Sequence, residues 1–169
     1  MWHHVVTIKQ ADFGTFHAVW IAPDGAELLL LTRERTLCWS VREGIVLWSI
    51  QEKAGGDSIS PDGRIYRDLA SGLFYPVLGS HGGQQLRTHP SGGSIHVPDE
   101  QGPVTVTDPA GATHSLSRTL SRTPSHQDCS DDWRPGDWRV ATFSESGDHI
   151  LIAGPRSLAV YTSLQNDKA

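Results

Sequence analysis

The sequence predicts an all-β fold, and three observations lead to that prediction. Short apolar runs of strand length recur along the 169 residues, and many are rich in Val, Ile, Trp, Tyr and Thr, which suit a pleated sheet. Turn signals built from Gly, Pro, Asp and Ser separate these runs. No stretch of eleven or more residues has convincing helical spacing, and Pro124 interrupts the best helical candidate.

The predicted strands follow one another along the whole chain. The first is "HHVVTIK" (3–9), which stands apart from the later runs. The later candidates are, in chain order, "HAVWIA", "AELLLL", "TLCWSV", "IVLWSI", "PVTVT", "WRVATF", "HILIAG" and "LAVYTSL". Each has the length of one strand, which indicates a fold of many short strands joined by turns.

The turns repeat along the chain in a similar form. Pro presets φ, Asp bonds its own backbone and Gly accepts positive φ, so these residues favour tight turns. The four motifs are "APDG" (22–25), "SPDG" (60–63), "HPSGG" (89–93) and "SESGD" (144–148).

The spacing of the turns indicates an internal repeat. Each motif precedes an apolar run and then a second turn, and the interval between the two turns recurs at nearly constant length. It is 19, 18 and 19 residues for the pairs Gly25 to Gly44, Gly93 to Gly111 and Gly147 to Asn166. The repeating unit is therefore an antiparallel sheet of about four strands, the architecture of a propeller blade.

Residues 18–50 resemble a blade of a WD-repeat β-propeller. Trp39 stands where that family has the Trp of its WD dipeptide, with Ser40 in place of the Asp. Tyr161-Thr162 and, more loosely, Thr107-Asp108 fall at the same position of two further units, so no blade has an intact WD. The resemblance implies a single propeller-like domain over 1–169 with about four blades, at about 15–53, 54–83, 84–118 and 138–169.

Two features concern the closure of this fold. We expect the strand at 3–9 to pair beside 158–164 as the fourth strand of the last blade, because closure removes exposed sheet edges. The four blades could close within one chain, two chains could join as half-propellers in a homodimer, or an open stack could be covered by partners.

The second blade is predicted to be truncated. Gly63 to Gly72 spans only 9 residues, so "RIYRDL" serves as the single strand where other units use two, with Leu69 near the WD-like position. A truncated blade leaves an unpaired sheet edge beside "LFYPVLG", and such an edge can accept a partner's strand. The candidate partner-binding residues here are Tyr66, Phe74 and Tyr75.

The polar segment 122–137, within an inter-blade loop insertion at 119–137, is the first choice for a partner-binding site, ahead of the sheet edge. Long loops on rigid scaffolds often carry function, so this one is predicted to bind a protein partner. Its side chains could also be metal ligands, but their spacing fits no zinc or calcium loop, and we expect no metal or cofactor. The candidate partner-binding residues are His126, Asp128, Asp131, Asp132, Trp133 and Trp138.

Composition narrows the functional classes. The net charge of −5 argues against a general nucleic-acid binder. Two cysteines indicate free thiols in a reducing compartment, and no secretory leader or membrane-length apolar run is visible. We therefore expect a cytoplasmic protein with neither a nucleic-acid nor a membrane partner.

The sequence contains no recognisable catalytic motif. Phosphate-binding loops, HExxH, paired CxxC and GxSxG are all missing. The prediction is a non-catalytic protein–protein interaction module or accessory subunit, binding through its blade loops. The alternatives are a toxin-neutralising immunity protein of a bacterium, and a propeller hydrolase or lyase with a site in the central channel.

Overall fold

The computed structural model describes residues 2–51, 56–99, 102–116 and 133–164. Within these ranges the chain forms strands β1 to β14, one four-residue helix, α1 (Gln10–Phe13), and a short 3-10 helix (Gly56–Ser58). The strands assemble into four antiparallel sheets, so the all-β prediction is confirmed. No helix in the described part of the chain is both long and apolar enough to cross a bilayer.

Sheet I is a meander followed by a short added strand. Its order is β5-β4-β3-β2-β8, so consecutive strands are neighbours until β8 joins the free edge of β2. The turn motif at 22–25 connects the first two strands of the meander, as its sequence predicts. The strands are β2 (Phe16–Ile21), β3 (Glu27–Thr32), β4 (Thr36–Ser40), β5 (Ile45–Ile50) and β8 (Leu78–Gly79).

Sheet II is a small hairpin of β6 (Ile65–Arg67) and β7 (Phe74–Pro76), extended by a single bridge from Ile59 to Tyr66. Only one strand lies between the turns that end at Gly63 and Gly72, which agrees with the predicted truncation. That strand is shorter than "RIYRDL" and excludes Leu69. The Asp68 carboxylate accepts hydrogen bonds from Ala70 N and Ser71 Oγ and so begins a turn.

Sheets III and IV complete the fold. Sheet III has the order β11-β10-β9, and sheet IV has the order β1-β14-β13-β12. The amino-terminal strand pairs antiparallel with the last strand, from His3 opposite Thr162 to Lys9 opposite Ser157, as the sequence predicts. The strands are β1 (His3–Lys9), β9 (Ser94–His96), β10 (Thr105–Thr107), β11 (Thr113–Ser115), β12 (Val140–Phe143), β13 (His149–Ala153) and β14 (Ser157–Thr162).

The core lies on both sides of strand β3. Leu28 and Leu30 point into a large cluster shared with sheets III and IV. Leu29 and Leu31 point the other way, into a smaller cluster shared with sheet II. A strand that is covered on both faces has apolar residues at consecutive positions, which explains the run "ELLLL" in β3.

Backbone hydrogen bonds join sheet I to sheet IV. Phe16 N donates to Pro155 O over 2.9 Å, and Ser146 N donates to Pro23 O over 2.9 Å. Phe143 N in β12 donates to Leu86 O over 2.8 Å, which ties the segment before sheet III to sheet IV. The first and last units of the chain are therefore in direct contact.

Candidate functional site

The candidate site is built on the contact between sheets I and II, which we call the seam. The register of sheet I places Trp20, Leu29, Cys38 and Trp48 in one row across four strands. Tyr75 of sheet II meets the ring of Trp20 edge to face, with 4.8 Å between ring centroids. This edge-to-face contact packs the hairpin of sheet II against sheet I.

Burial disfavours the charged forms of Tyr66, Tyr75 and Cys38 in the seam. It raises the pKa of the Tyr66 and Tyr75 hydroxyls above their ordinary value. Burial, assisted by the Glu27 carboxylate, also raises the pKa of the Cys38 thiol to about 11. Since only a thiolate is a good nucleophile, Cys38 is an inert packing residue at neutral pH.

Sheet II and its turn also carry exposed apolar side chains. Four apolar side chains of sheet II and its turn are exposed, and three of them have 57–66% of their surface accessible. The Arg67 guanidinium lies over the Phe74 ring, 5.6 Å from its centroid, and leaves that ring largely uncovered. We call this surface the hairpin patch, and its residues are Ile65, Leu69, Leu73 and Phe74.

The three partner-binding residues predicted in this region differ in how exposed their side chains are. Phe74 is exposed in the hairpin patch. Tyr75 is half-buried in the seam, and Tyr66 is buried, with 4% of its surface accessible. Tyr66 therefore supports the hairpin from within, because antiparallel pairing with Tyr75 directs both rings toward sheet I.

The end of the predicted loop insertion is anchored to the body. Trp133 Nε1 donates to Asp137 O over 3.1 Å, and the Arg139 guanidinium lies 5.1 Å from the centre of the Trp133 ring. The Asp137 carboxylate pairs with Arg156, and Trp138 packs against the large cluster. The other predicted residues of this loop lie outside the described residues: His126, Asp128, Asp131 and Asp132.

A cleft of about 1010 Å³ lies between sheets I and IV, with His3, His4, Asp24, Arg42 and His149 among its lining residues. In the described ranges, no three His, Cys, Asp or Glu side chains converge in a way that could hold a metal ion. The cleft therefore has a mixed polar and apolar lining, without a group of metal ligands among the described residues. Sequence analysis did not identify it, because its walls come from opposite ends of the chain.

Imidazoles fit against turn glycines at several seams, which sequence analysis also missed. A β-carbon on Gly25 would collide with His149 Nδ1, and one on Gly147 would lie 2.6 Å from His89 Nε2. His89 Nε2 lies 3.0 Å from Gly147 O, and His89 Nδ1 accepts from Ser91 N over 2.9 Å. This pair of contacts fits a neutral ring that carries its proton on Nε2.

No protein-family model matches the chain, and no curated protein sequence matches it either. One similar solved structure is the β-propeller domain of Cps50 (Swd1) from Myceliophteria thermophila, at 16% sequence identity and a TM-score of 0.28. The match covers 91% of this chain and 54% of the other, so this chain spans about half the length of that domain.

Proposed function

We propose that this chain is a non-catalytic protein-interaction module whose four sheets are the blade units of a small propeller-like fold. The observation that carries the proposal is the hairpin patch. Scattered exposed apolar residues are ordinary, but four exposed apolar side chains within one short hairpin, one of them aromatic, are typical of a binding surface. Phe74, with 66% of its surface accessible, is the natural anchor for a partner's pocket.

The ring contacts of the seam support this role. Tyr75 contacts Trp20 and Tyr66 contacts Tyr75, so the hairpin has a defined position on sheet I in the folded state. A preorganised surface loses less conformational entropy on binding than a mobile one, which favours affinity. An accessory subunit and a toxin-neutralising immunity protein would both use such a surface.

Among the described residues, no observation favours the alternative of a hydrolase or lyase. The buried Cys38 thiol is protonated at neutral pH and is not positioned as a nucleophile. The acidic turn residues are engaged in turn structure, as when the Asp62 carboxylate accepts from Arg64 N over 3.1 Å. Binding therefore remains the function that the described residues support best.

Quantitative affinity capture from native host extract tests the proposal. Wild-type protein is compared with the triple variant L69S/L73S/F74S, and we expect at least one specific partner to be lost from the variant. The matched control is V5S/L164S, which removes exposed apolar side chains from sheet IV and the residues after it. Equal recovery of every captured protein by all three forms would refute the hairpin patch as the binding surface.

A further inference from the structure

We propose that sheet II has a vacant strand position at the free edge of β7, and that an uncharged apolar strand from a partner protein fills it. This inference rests on the proposed interaction function and names the kind of partner segment. Three observations carry it: the strand count, the free backbone groups of β7, and the apolar surface beside the vacancy.

In the described part of the chain, the strand count leaves one position of sheet II unfilled. Between the turn glycines Gly25 and Gly44, the chain forms both β3 and β4, whereas between Gly63 and Gly72 it forms β6 alone. Sheet II thus has three strand positions, namely Ile59, β6 and β7. The meander of sheet I has four, so its outermost strand has no counterpart in sheet II.

The free edge of β7 has backbone groups ready to pair. Asp68 N donates to Leu73 O and Val77 N donates to Arg64 O, each over 2.9 Å. Because antiparallel strands alternate, the backbone groups of residues 73, 75 and 77 face β6 and those of 74 and 76 face away. The edge therefore presents Phe74 N–H, Phe74 C=O and Pro76 C=O, one donor and two acceptors.

The apolar face of sheet I beside this edge is only partly covered by sheet II. We call the residues Ile45, Trp48 and Ile50 of this face the floor of the vacancy. On the face of sheet I that meets sheet II, register places Ile45, Trp48 and Ile50 along the outer strand β5. The small cluster reaches Trp48, but Ile45 and Ile50 keep 50% and 42% of their surface exposed. A strand added beyond β7 would continue the existing seam over these side chains.

The surroundings define the chemistry of the incoming strand. Residues 44–51 and 73–79 contain no charged side chain. A charged side chain pressed against Ile45, Trp48 and Ile50 would lose water without gaining a counter-ion, which is costly. The occupant is therefore an extended segment with apolar residues, and β5 itself, "IVLWSI", is an internal example of such a strand.

An NMR titration of the full 15N-labelled chain tests this proposal. The probe is a synthetic peptide that copies residues 44–51, "GIVLWSIQ", with lysines added at both ends for solubility. We expect shifts of the Phe74 amide and the Trp48 indole, and slower hydrogen exchange at Phe74. A peptide with two prolines in its centre and the same flanking lysines should cause none of these changes.

Two protein variants make the test specific. Ile50→Lys places a charge on the floor of the vacancy and should weaken binding by about tenfold or more, equivalent to about 1.4 kcal/mol. Val46→Lys is the matched control, since Val46 pairs with Trp39 on the opposite face and is similarly exposed, at 37%. Equal affinity of both variants would overturn the proposed floor.

Other results would also refute the proposal, either at the vacancy or at its occupant. No binding of the peptide, or shifts confined to the backbone of β5, would exclude strand addition at β7. A dimer that forms without peptide and protects the Phe74 amide would make a second copy the occupant. If the titration fails while L69S/L73S/F74S still loses a captured partner, the interaction function stands and only the strand vacancy is refuted.

Discussion

At the scale of single residues, the tightest fit between sheets is at Gly25. Its φ is +73°, and a β-carbon there would collide with the His149 ring. We expect Gly25→Ala to lower the free energy of unfolding by about 2–4 kcal/mol, because left-handed strain and steric overlap add. Gly44→Ala is the control: its φ is +69°, but nothing lies within 4 Å, so only about 1–2 kcal/mol of backbone strain applies.

Urea denaturation of the two glycine variants measures this difference. If His149 packs against the Gly25 turn as described, Gly25→Ala loses more free energy of unfolding than Gly44→Ala. Equal losses would show that the imidazole moves aside at little cost. The contact joins residues far apart in the sequence, so no local pattern could have predicted it.

His149 also makes stability depend on pH. Burial lowers the pKa of its imidazole, despite the opposing influence of the Asp148 and Asp24 carboxylates. The unfolded chain therefore binds a proton below pH about 6.5, before the folded chain does, and stability falls as the pH decreases. We expect His149→Gln to flatten the dependence of unfolding free energy on pH below that value.

At the scale of elements, β1 contributes to sheet IV through one buried side chain. Ile8 has 2% of its surface exposed and lies in the large cluster, opposite Leu158. Ile8→Ala should cost about 2–5 kcal/mol in a chemical unfolding measurement. Val5 lies on the same strand but is partly exposed, so Val5→Ala should cost within about 0.5 kcal/mol. Similar costs for the two variants would show that β1 is not docked on the core.

The elements also show which parts of the fold could be predicted from sequence. The turn motif at 22–25 and the run after it predicted a hairpin, and "HHVVTIK" was expected beside the last strand, where β1 is found. The pairing of β8 with β2 could not be foreseen, because two residues carry no periodicity. Leu69 was misplaced because the Asp68 side chain begins a turn that apolar patterning does not reveal.

The candidate site was predictable to a similar extent. The short interval from Gly63 to Gly72 identified a reduced unit and directed attention to Phe74. It could not distinguish Phe74 from Tyr75, its neighbour in β7, because strand alternation places adjacent residues on opposite faces and register decides which face is covered. The cleft near His149 depends on the meeting of sheets I and IV, which is a tertiary property.

At the scale of the whole molecule, the large and small apolar clusters imply that sheet IV and sheet II differ in local stability. Strand β14 is paired on both edges and buried along its length, within the large cluster. Sheet II has two strands of three residues each and attaches through the small cluster. Regions with fewer buried contacts open at lower free energy than the global unfolding transition.

We therefore predict that amides of β6 and β7 exchange with deuterium faster than those of β14 under native conditions. Leu31→Ala, which removes a side chain from the small cluster, should accelerate exchange in sheet II selectively. Leu30→Ala, its neighbour in the large cluster, should instead accelerate exchange throughout the sheets. Both leucines are buried, so the pair is matched in size and burial, and NMR-detected exchange resolves each strand. Uniform acceleration by both variants would mean that sheet II unfolds together with the rest of the molecule.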